Sequence, residues 1–159
     1  TNSSEIASRA RHLCTTAKQI HPFKYIHDEV AFNYRLPNIN AAVGVGQMRQ
    51  LTQRIKLKRT LASRYKAAYA DVPYLSFFNE LEHSYSNCWL NCVVLEDELA
   101  EHRDDVLESL HDAMILARPA WNLLHTLPMF KSAPRDELSV SEDLEKRLIC
   151  LPSSARFGR

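Results

Sequence analysis

The segment Asn33–Gly44, which reads NYRLPNINAAVG, places an amide and a guanidinium immediately before the start of a helix. Pro37 disfavours helical geometry in the residue before it, and Asn38 is a good helix N-cap. The helix then opens on small residues, which allow another protein surface to approach closely. We therefore predict that Asn33 and Arg35 hold an anion at a subunit or domain boundary.

Length and composition describe an ordinary soluble protein of one or two small domains. The chain has 159 residues, of which 45% are hydrophobic and 25% charged, and its formal net charge is +1. A charge this close to zero gives no general bias toward nucleic acids, membranes or acidic partners. No apolar run approaches the roughly 20 residues that span a bilayer, and the N-terminus does not resemble a signal peptide. We predict a cytoplasmic protein with no membrane partner.

Glycine is scarce, and its positions exclude the commonest phosphate-binding loops. The three glycines are Gly44, Gly46 and Gly158. They cannot form a Walker loop, a dinucleotide-binding fingerprint or the nucleophile elbow of a hydrolase. Any phosphate bound here must be held by side chains or by loops outside this sequence.

The cysteines and histidines do not form a recognisable metal motif. Cys88 and Cys92 are four residues apart, which is not the spacing of a zinc knuckle, and the remaining cysteines are isolated. His21 and His27 lack a matching cysteine or carboxylate pattern. We expect reduced cysteines and no metal site.

Hydrophobic spacing predicts two helices in the first half of the chain. Residues 3–14 are expected to form a short amphipathic helix capped by Asn2, followed by an irregular segment over 15–32. The next helix is expected to start at Asn38, to bend near residues 51–52 and to end near Ala70.

The second half has a mixed pattern that is typical of an α/β layer. Residues 88–95, 113–118 and 148–151 read as strands. Helices are expected over residues 103–112 and 141–147. Strands separated by helices predict a small α/β domain with a mixed sheet.

The second helix is strongly basic. Seven cations and no acidic residue lie between positions 49 and 66: Arg49, Arg54, Lys56, Lys58, Arg59, Arg64 and Lys66. Such a helix can bind nucleic acid or phosphate, or it can present a solvated face. The lack of interleaved aromatic residues and the near-neutral net charge favour the solvated face.

Two groups of residues resemble motifs of a known family. The first group consists of NYRLPNINAA at 33–42, Gln47 to Leu51 and Arg59 to Tyr65. The second group consists of ARPAW at 117–121, His125, LPMF at 127–130, EDL at 142–144 and ICLPSS at 149–154. Over residues 2–154 the chain resembles the DegT–StrS family of sugar aminotransferases, which use pyridoxal 5′-phosphate. It is most similar to the nucleotide-sugar branch that includes legionaminic-acid pathway enzymes.

The resemblance implies a fold and a division into domains. The fold would be that of a fold-type I, aspartate aminotransferase-like enzyme. Residues 1–37 would be the trailing segment of the large cofactor domain. Residues 38–159 would contain the linking helices and the small C-terminal α/β domain, with its small mixed sheet.

The resemblance also implies roles for three residues. The residue matching Asn33 donates to the cofactor phosphate of the neighbouring subunit in a homodimer. Arg35 would lie near the same site and meet the carboxylate of the amino donor or a phosphate of the nucleotide sugar, and His125 would contact the sugar nucleotide. Each residue also has a structural alternative: Asn33 could cap a turn, Arg35 could pair with a surface carboxylate, and His125 could be a packing residue.

No lysine of this sequence matches the lysine that the chemistry of the family requires. In this family the lysine that bonds covalently to pyridoxal phosphate lies upstream of the segment matching Thr1, and the seven lysines present match none of its motifs. We therefore expect the C-terminal part of an aminotransferase that carries no catalytic residue of its own. Intact, the enzyme would transfer an amino group, usually from glutamate, to a keto sugar on a nucleotide.

Two other classes of protein remain open. The basic helix over residues 49–66 could serve a nucleic-acid-binding module. Alternatively, the chain could be a non-catalytic dimerisation domain without a ligand.

Overall fold

The computed structural model describes residues 1–159 and divides into two compact units, Thr1–Gln50 and Leu51–Arg159. The main elements, in chain order, are α1 (Ser4–Cys14), α2 (Asn38–Ala68), β1 (Leu75–Phe77), β2 (Asn91–Leu95), α3 (Arg103–Asp112), β3 (Arg118–Pro119), α4 (Ser139–Arg147) and β4 (Leu148–Leu151). Short 3₁₀ turns cover Asp97–His102, Leu124–Thr126, Pro128–Phe130 and Ala155–Gly158. None of the helices is both long and apolar enough to cross a bilayer.

Helix α1 begins at a side-chain cap. The Ser3 hydroxyl accepts a hydrogen bond from the Ile6 N–H at 3.3 Å. The predicted cap, Asn2, is therefore wrong by one residue. Glu5 in the first turn and Arg11 in the last turn both suit the helix dipole.

Helix α2 is one uninterrupted helix of 31 residues. Asn38 is its first residue rather than its cap, and the Ala41 N–H donates to the Pro37 carbonyl at 3.0 Å. The helix ends at Ala68, two residues before the predicted end.

The sheet has the strand order β1-β2-β4-β3, and every neighbouring pair is antiparallel. The α/β class is confirmed, but the prediction of a mixed sheet is wrong. Strand β4 lies between β2 and β3 and runs opposite to both. The alternation of strands and helices along the chain does not determine this direction.

Two predicted strands are shorter than expected because turns occupy their first residues. Cys88 has a φ of 49° and cannot continue a strand, so β2 begins at Asn91. Residues 113–117 continue the end of α3 instead: the Ile115 N–H donates to the Leu110 carbonyl, and Met114 has a φ of 61°. Only Arg118–Pro119 pair with β4.

The core of the second unit lies on one face of the sheet. Val93 pairs directly with Ile149, and Asn91 with Leu151, so these side chains share that face. Leu107 of α3 joins them, as do Tyr65, Tyr69, Leu75, Phe77 and Leu95. Asn91 is 2% exposed, and the Ser153 hydroxyl accepts hydrogen bonds from its backbone N–H at 2.8 Å and from its side-chain amide at 3.2 Å.

The division between Gln50 and Leu51 differs from the predicted boundary at residue 37. This division reflects only how the residues of this chain pack against one another. The assignment of residues 1–37 to a large cofactor domain stays a prediction.

Candidate functional site

The backbone around Asn33 is fixed by the end of α1. The Phe32 N–H donates to the Leu13 carbonyl and the Tyr34 N–H donates to the Cys14 carbonyl, both at 2.9 Å. Asn33 itself forms a β-bridge with Thr15. These contacts hold the segment extended on either side of Asn33.

The two predicted anion-binding side chains lie on one side of this extended segment. Phe32 and Tyr34 stack with ring centroids 5.1 Å apart and planes 11° apart, so they share the other side. Successive residues of an extended chain alternate, which places Asn33 and Arg35 together, about 7 Å apart along the backbone. The first turn of α2 follows three residues later, and its N-terminus favours negative charge.

Both side chains are exposed and make no hydrogen bond or ion pair with any other group of residues 1–159. The structural alternatives are therefore not realised within this chain, because Asn33 caps no turn and Arg35 meets no carboxylate. An amide and a guanidinium can bind an anion, but neither can act as a nucleophile or general base at neutral pH. The arrangement is suited to binding.

A polar network fixes the loop that leads to this segment. Arg9 of α1 forms a bidentate pair with Glu29, and the His12 Nε2 lies 2.7 Å from an oxygen of Asp28. The Gln19 amide donates to the other Asp28 oxygen at 3.2 Å. Hydrogen bonds from Gln19 and then His12 lower the pKa of Asp28, and the hydrogen bond from Arg9 lowers the pKa of Glu29.

The same network contains the one group of potential metal ligands that the structure brings together. Ligand atoms of His12, Asp28 and Glu29 lie within 4.8 Å of one another. Because Arg9 already neutralises Glu29, the cluster is satisfied as an ion-pair network. His21 and His27 contact backbone groups: the His21 Nδ1 accepts from the Lys24 N–H at 2.9 Å, and the His27 Nδ1 lies 2.6 Å from the Thr16 carbonyl oxygen.

His125 is mostly enclosed in the second unit. Its side chain is 15% exposed, and its Nε2 lies 3.1 Å from a carboxylate oxygen of Glu142. This contact restrains the imidazole. The role of His125 as a substrate contact stays a prediction.

A large cavity of the second unit was not predicted from the sequence. It has a volume of about 1060 Å³ and is lined by Leu116, Arg118, Pro119, Trp121, Leu127 and Cys150, among others. Trp121 stacks on Trp89 with centroids 5.9 Å apart, although each is about two-thirds exposed. The sequence signal was the ARPAW motif, but nothing in it indicated that Trp89 would be its partner.

Several of the seven cations of the basic helix bind groups of this chain. The Lys58 ammonium donates to the carbonyls of Trp89 and Ser153, and Arg64 donates to the carbonyls of Phe157 and Arg159. Arg59 forms a bidentate pair with Glu80 at 2.7 and 3.0 Å. Their contacts tie α2 to loops of the second unit, which reduces the charge that is available to a nucleic acid.

The Arg59–Glu80 pair predicts an acid-sensitive contribution to stability. The hydrogen bond from Arg59, followed by that from the Ser86 N–H, lowers the pKa of Glu80 from 4.5 to about 2. A carboxyl with a lowered folded-state pKa stabilises the fold above its unfolded pKa and loses this effect as the pH falls toward the folded value. We expect Glu80→Gln to lower the free energy of unfolding, with a constant difference from wild type above about pH 5 that shrinks between pH 4.5 and 2.

Urea unfolding of both proteins between pH 7 and pH 3 measures this difference. Subtracting the two curves removes the titration of the other carboxyl groups, since both proteins carry them. A difference that stays constant down to pH 3, or grows there, would contradict the assignment to Glu80.

Solved structures of the same fold are aminotransferases of fold-type I. The aminotransferase TlmJ from Streptoalloteichus hindustanus superposes with a TM-score of 0.85 at 20% identity, covering 98% of this chain and 41% of that one. PseC from Helicobacter pylori, an aminotransferase of pseudaminic acid biosynthesis, gives 0.81 at 22% identity, covering 98% and 42%. At these identities the likeness establishes the fold alone.

The sequence establishes the family. Residues 1–159 match the DegT/DnrJ/EryC1/StrS aminotransferase family, and the chain belongs to it. EpsN of Bacillus subtilis, whose name describes a pyridoxal phosphate-dependent aminotransferase, is 38% identical over 98% of this chain and 40% of its own length. A GDP-perosamine synthase of Vibrio cholerae is 35% identical over 82% of this chain and 35% of its own length. The chain thus spans 35–40% of the length of these relatives.

Proposed function

We propose that this chain is the C-terminal part of a pyridoxal phosphate-dependent aminotransferase acting on a nucleotide-linked keto sugar in surface-polysaccharide or nonulosonate biosynthesis. The amino donor would be glutamate. The observation that carries the proposal is the exposed, unpartnered pair Asn33 and Arg35 in a chain of this family. The names of relatives such as GDP-perosamine synthase support the substrate class.

The residues of this chain fit one edge of a cofactor site. When bound, pyridoxal phosphate supplies the electron sink for amino-group transfer. The Asn33 amide would donate a hydrogen bond to the phosphate held by the neighbouring subunit. A hydrogen bond to a charged group contributes about 1.5–3 kcal/mol, which is enough to affect how firmly the cofactor is retained.

Arg35 would bind the second anion of the site. Its planar guanidinium matches a carboxylate or a phosphate in a bidentate geometry. We propose that it orients the carboxylate of the amino donor or a phosphate of the nucleotide sugar. His125 is proposed as a substrate contact that Glu142 holds in position.

A homodimer is part of the proposal because the phosphate contact crosses between subunits. The first half of α2 is apolar and uncovered in this chain: Ile39, Val43 and Met48 are 74%, 60% and 65% exposed. Exposed apolar patches of this kind usually mark contact surfaces. We further propose that the enzyme is cytoplasmic, where nucleotide sugars are made.

The test is an assay of the full-length protein with glutamate and keto sugars linked to GDP, dTDP or UDP. We expect one nucleotide sugar to be aminated, with 2-oxoglutarate formed in equal amounts, as followed by mass spectrometry. Turnover of amino acids with simple keto acids, and of no nucleotide sugar, would contradict the proposed substrate class.

The nucleic-acid-binding alternative is tested in the same preparation. Salt-dependent binding of an oligonucleotide that is lost on neutralising Arg49, Lys56 and Lys66 would support it. We expect no such binding.

A further inference from the structure

Two cysteines face each other at the centre of the sheet. Cys92 of β2 and Cys150 of β4 are direct partners in the antiparallel register, and their sulfur atoms are 3.6 Å apart. Both are free thiols. Neither belongs to the anion-binding segment nor to any role proposed above.

The backbone geometry already suits a covalent link. Directly opposed residues of antiparallel strands have Cα atoms about 4.5–5.5 Å apart, within the range of about 4.4–6.8 Å that disulfides adopt. The sulfur atoms must approach by only about 1.5 Å to reach bonding distance. Rotation of the two side chains can supply this movement without a change of register.

The two thiols are also electronically unequal, which favours reaction between them. The Cys92 S–H donates to the Cys150 sulfur, and this contact lowers the pKa of the Cys150 thiol despite its burial. The same contact, together with burial, raises the pKa of Cys92. A thiolate fraction on one sulfur next to a protonated thiol is the usual setting for disulfide formation.

We propose that Cys92 and Cys150 form a modification site that closes to a cross-strand disulfide when a hydroperoxide oxidises it. One thiolate attacks the peroxide, giving a sulfenic acid and water from hydrogen peroxide. The second sulfur then displaces the hydroxyl as another water. The sum is two thiols and one peroxide converted to one disulfide and two waters, whichever sulfur reacts first.

The location gives the disulfide a structural consequence. It would tie the middle of β2 to the middle of β4 and close a loop of more than 50 residues, which contains α3, β3 and α4. Closing a long loop restricts the unfolded chain, so oxidation is expected to raise the melting temperature by several degrees. Cys150 also lines the cavity beside Trp121, and the disulfide would form part of that wall.

The other two cysteines of the chain provide internal controls. Cys88 contacts the Ser86 carbonyl at 3.9 Å and no sulfur, and Cys14 lies in α1 in the other compact unit. Both residues are partly exposed, as Cys92 is. Exposure alone would therefore make all three react alike, whereas the proposal selects the opposed pair.

The experiment is peptide mapping of the full-length protein. The reduced protein is treated with one equivalent of hydrogen peroxide and then denatured in the presence of N-ethylmaleimide, which alkylates the remaining free thiols. It is digested without reductant. We expect a linked peptide pair containing Cys92 and Cys150, two hydrogens lighter than the sum of its parts and separated by dithiothreitol. The same pair is expected in a Cys14→Ser, Cys88→Ser variant, and it should be absent from Cys150→Ser.

Alkylation of both Cys92 and Cys150 after peroxide treatment would overturn the proposal. Pairing of either one with a different cysteine would also overturn it. Because the wild-type map alone decides the question, the result does not depend on whether a variant folds. The outcome is also independent of the aminotransferase assay.

Discussion

Borohydride reduction of the full-length protein in pyridoxal phosphate is expected to place one pyridoxyl group per subunit on a lysine outside residues 1–159. The covalent link to the cofactor requires a lysine whose amine is neutral and aimed at the cofactor aldehyde. Peptide mapping by mass spectrometry locates the modified residue. We expect a pyridoxyl group on that lysine in every subunit and on no lysine of residues 1–159.

The lysines of this chain explain the expectation. Six of them are exposed: Lys18, Lys24, Lys56, Lys66, Lys131 and Lys146. Lys58 is the exception, since it is half-buried and desolvation lowers its pKa. Its ammonium nevertheless donates to the carbonyls of Trp89 and Ser153, which favour the charged form and hold it in a structural contact.

Lys58 is therefore the lysine of this chain that provides the most critical test of the prediction. A stoichiometric pyridoxyl adduct at Lys58, or at any other single lysine of this chain, would contradict the account. Lys58→Arg is the matched control, because arginine keeps the donors to both carbonyls. We expect this variant to bind the cofactor like wild type.

Asn33→Asp is expected to weaken cofactor retention strongly in the full-length protein. Loss of a charge-assisted hydrogen bond of about 1.5–3 kcal/mol lowers affinity roughly 10- to 100-fold, and the new carboxylate adds repulsion against the phosphate. Asn33→Ala should show the first effect without the second. Cofactor dissociation, followed by absorbance during dialysis, measures both.

The control for Asn33→Asp is the same chemical change elsewhere. The Asn87 Oδ1 accepts a hydrogen bond from the Trp89 N–H at 3.0 Å, and an aspartate keeps that acceptor. Asn87→Asp should leave cofactor retention unchanged. Equal effects of the two substitutions would indicate a general charge effect rather than a phosphate contact.

Sequence patterns predicted the long, periodic elements well. The limits of α3 and β4 are confirmed, and α2 begins at the expected residue. Helix α3 carries apolar residues at helical spacing, β4 is a continuous apolar run, and Pro37 and Asn38 mark the start of α2. Strand β1 was missed because three residues after Pro73 carry no periodicity, and it forms only by pairing with the edge of β2.

The candidate site residues were also predicted where the signal is local in sequence and missed where it is not. Asn33 and Arg35 were found because they are close in sequence and precede a helix start. The Trp89–Trp121 stack and the Cys92–Cys150 pair each join residues more than 30 positions apart. Their proximity depends on the position of β4 between β2 and β3, which the chain order of the elements does not reveal.

The central claim is that Asn33 completes a cofactor site whose lysine belongs to the other subunit. It is tested most directly by co-expressing two differently tagged full-length variants, one with Asn33→Asp and one without the cofactor-binding lysine, and assaying them at a pyridoxal phosphate concentration that saturates wild type but not Asn33→Asp. In the mixed dimer, one of the two sites then combines an intact lysine with an intact Asn33. The account predicts that isolated mixed dimers recover about half of the wild-type activity at this cofactor concentration, whereas each parent dimer is close to inactive. Mixed dimers as inactive as the parents would contradict it, since that is the result if Asn33 serves only its own subunit.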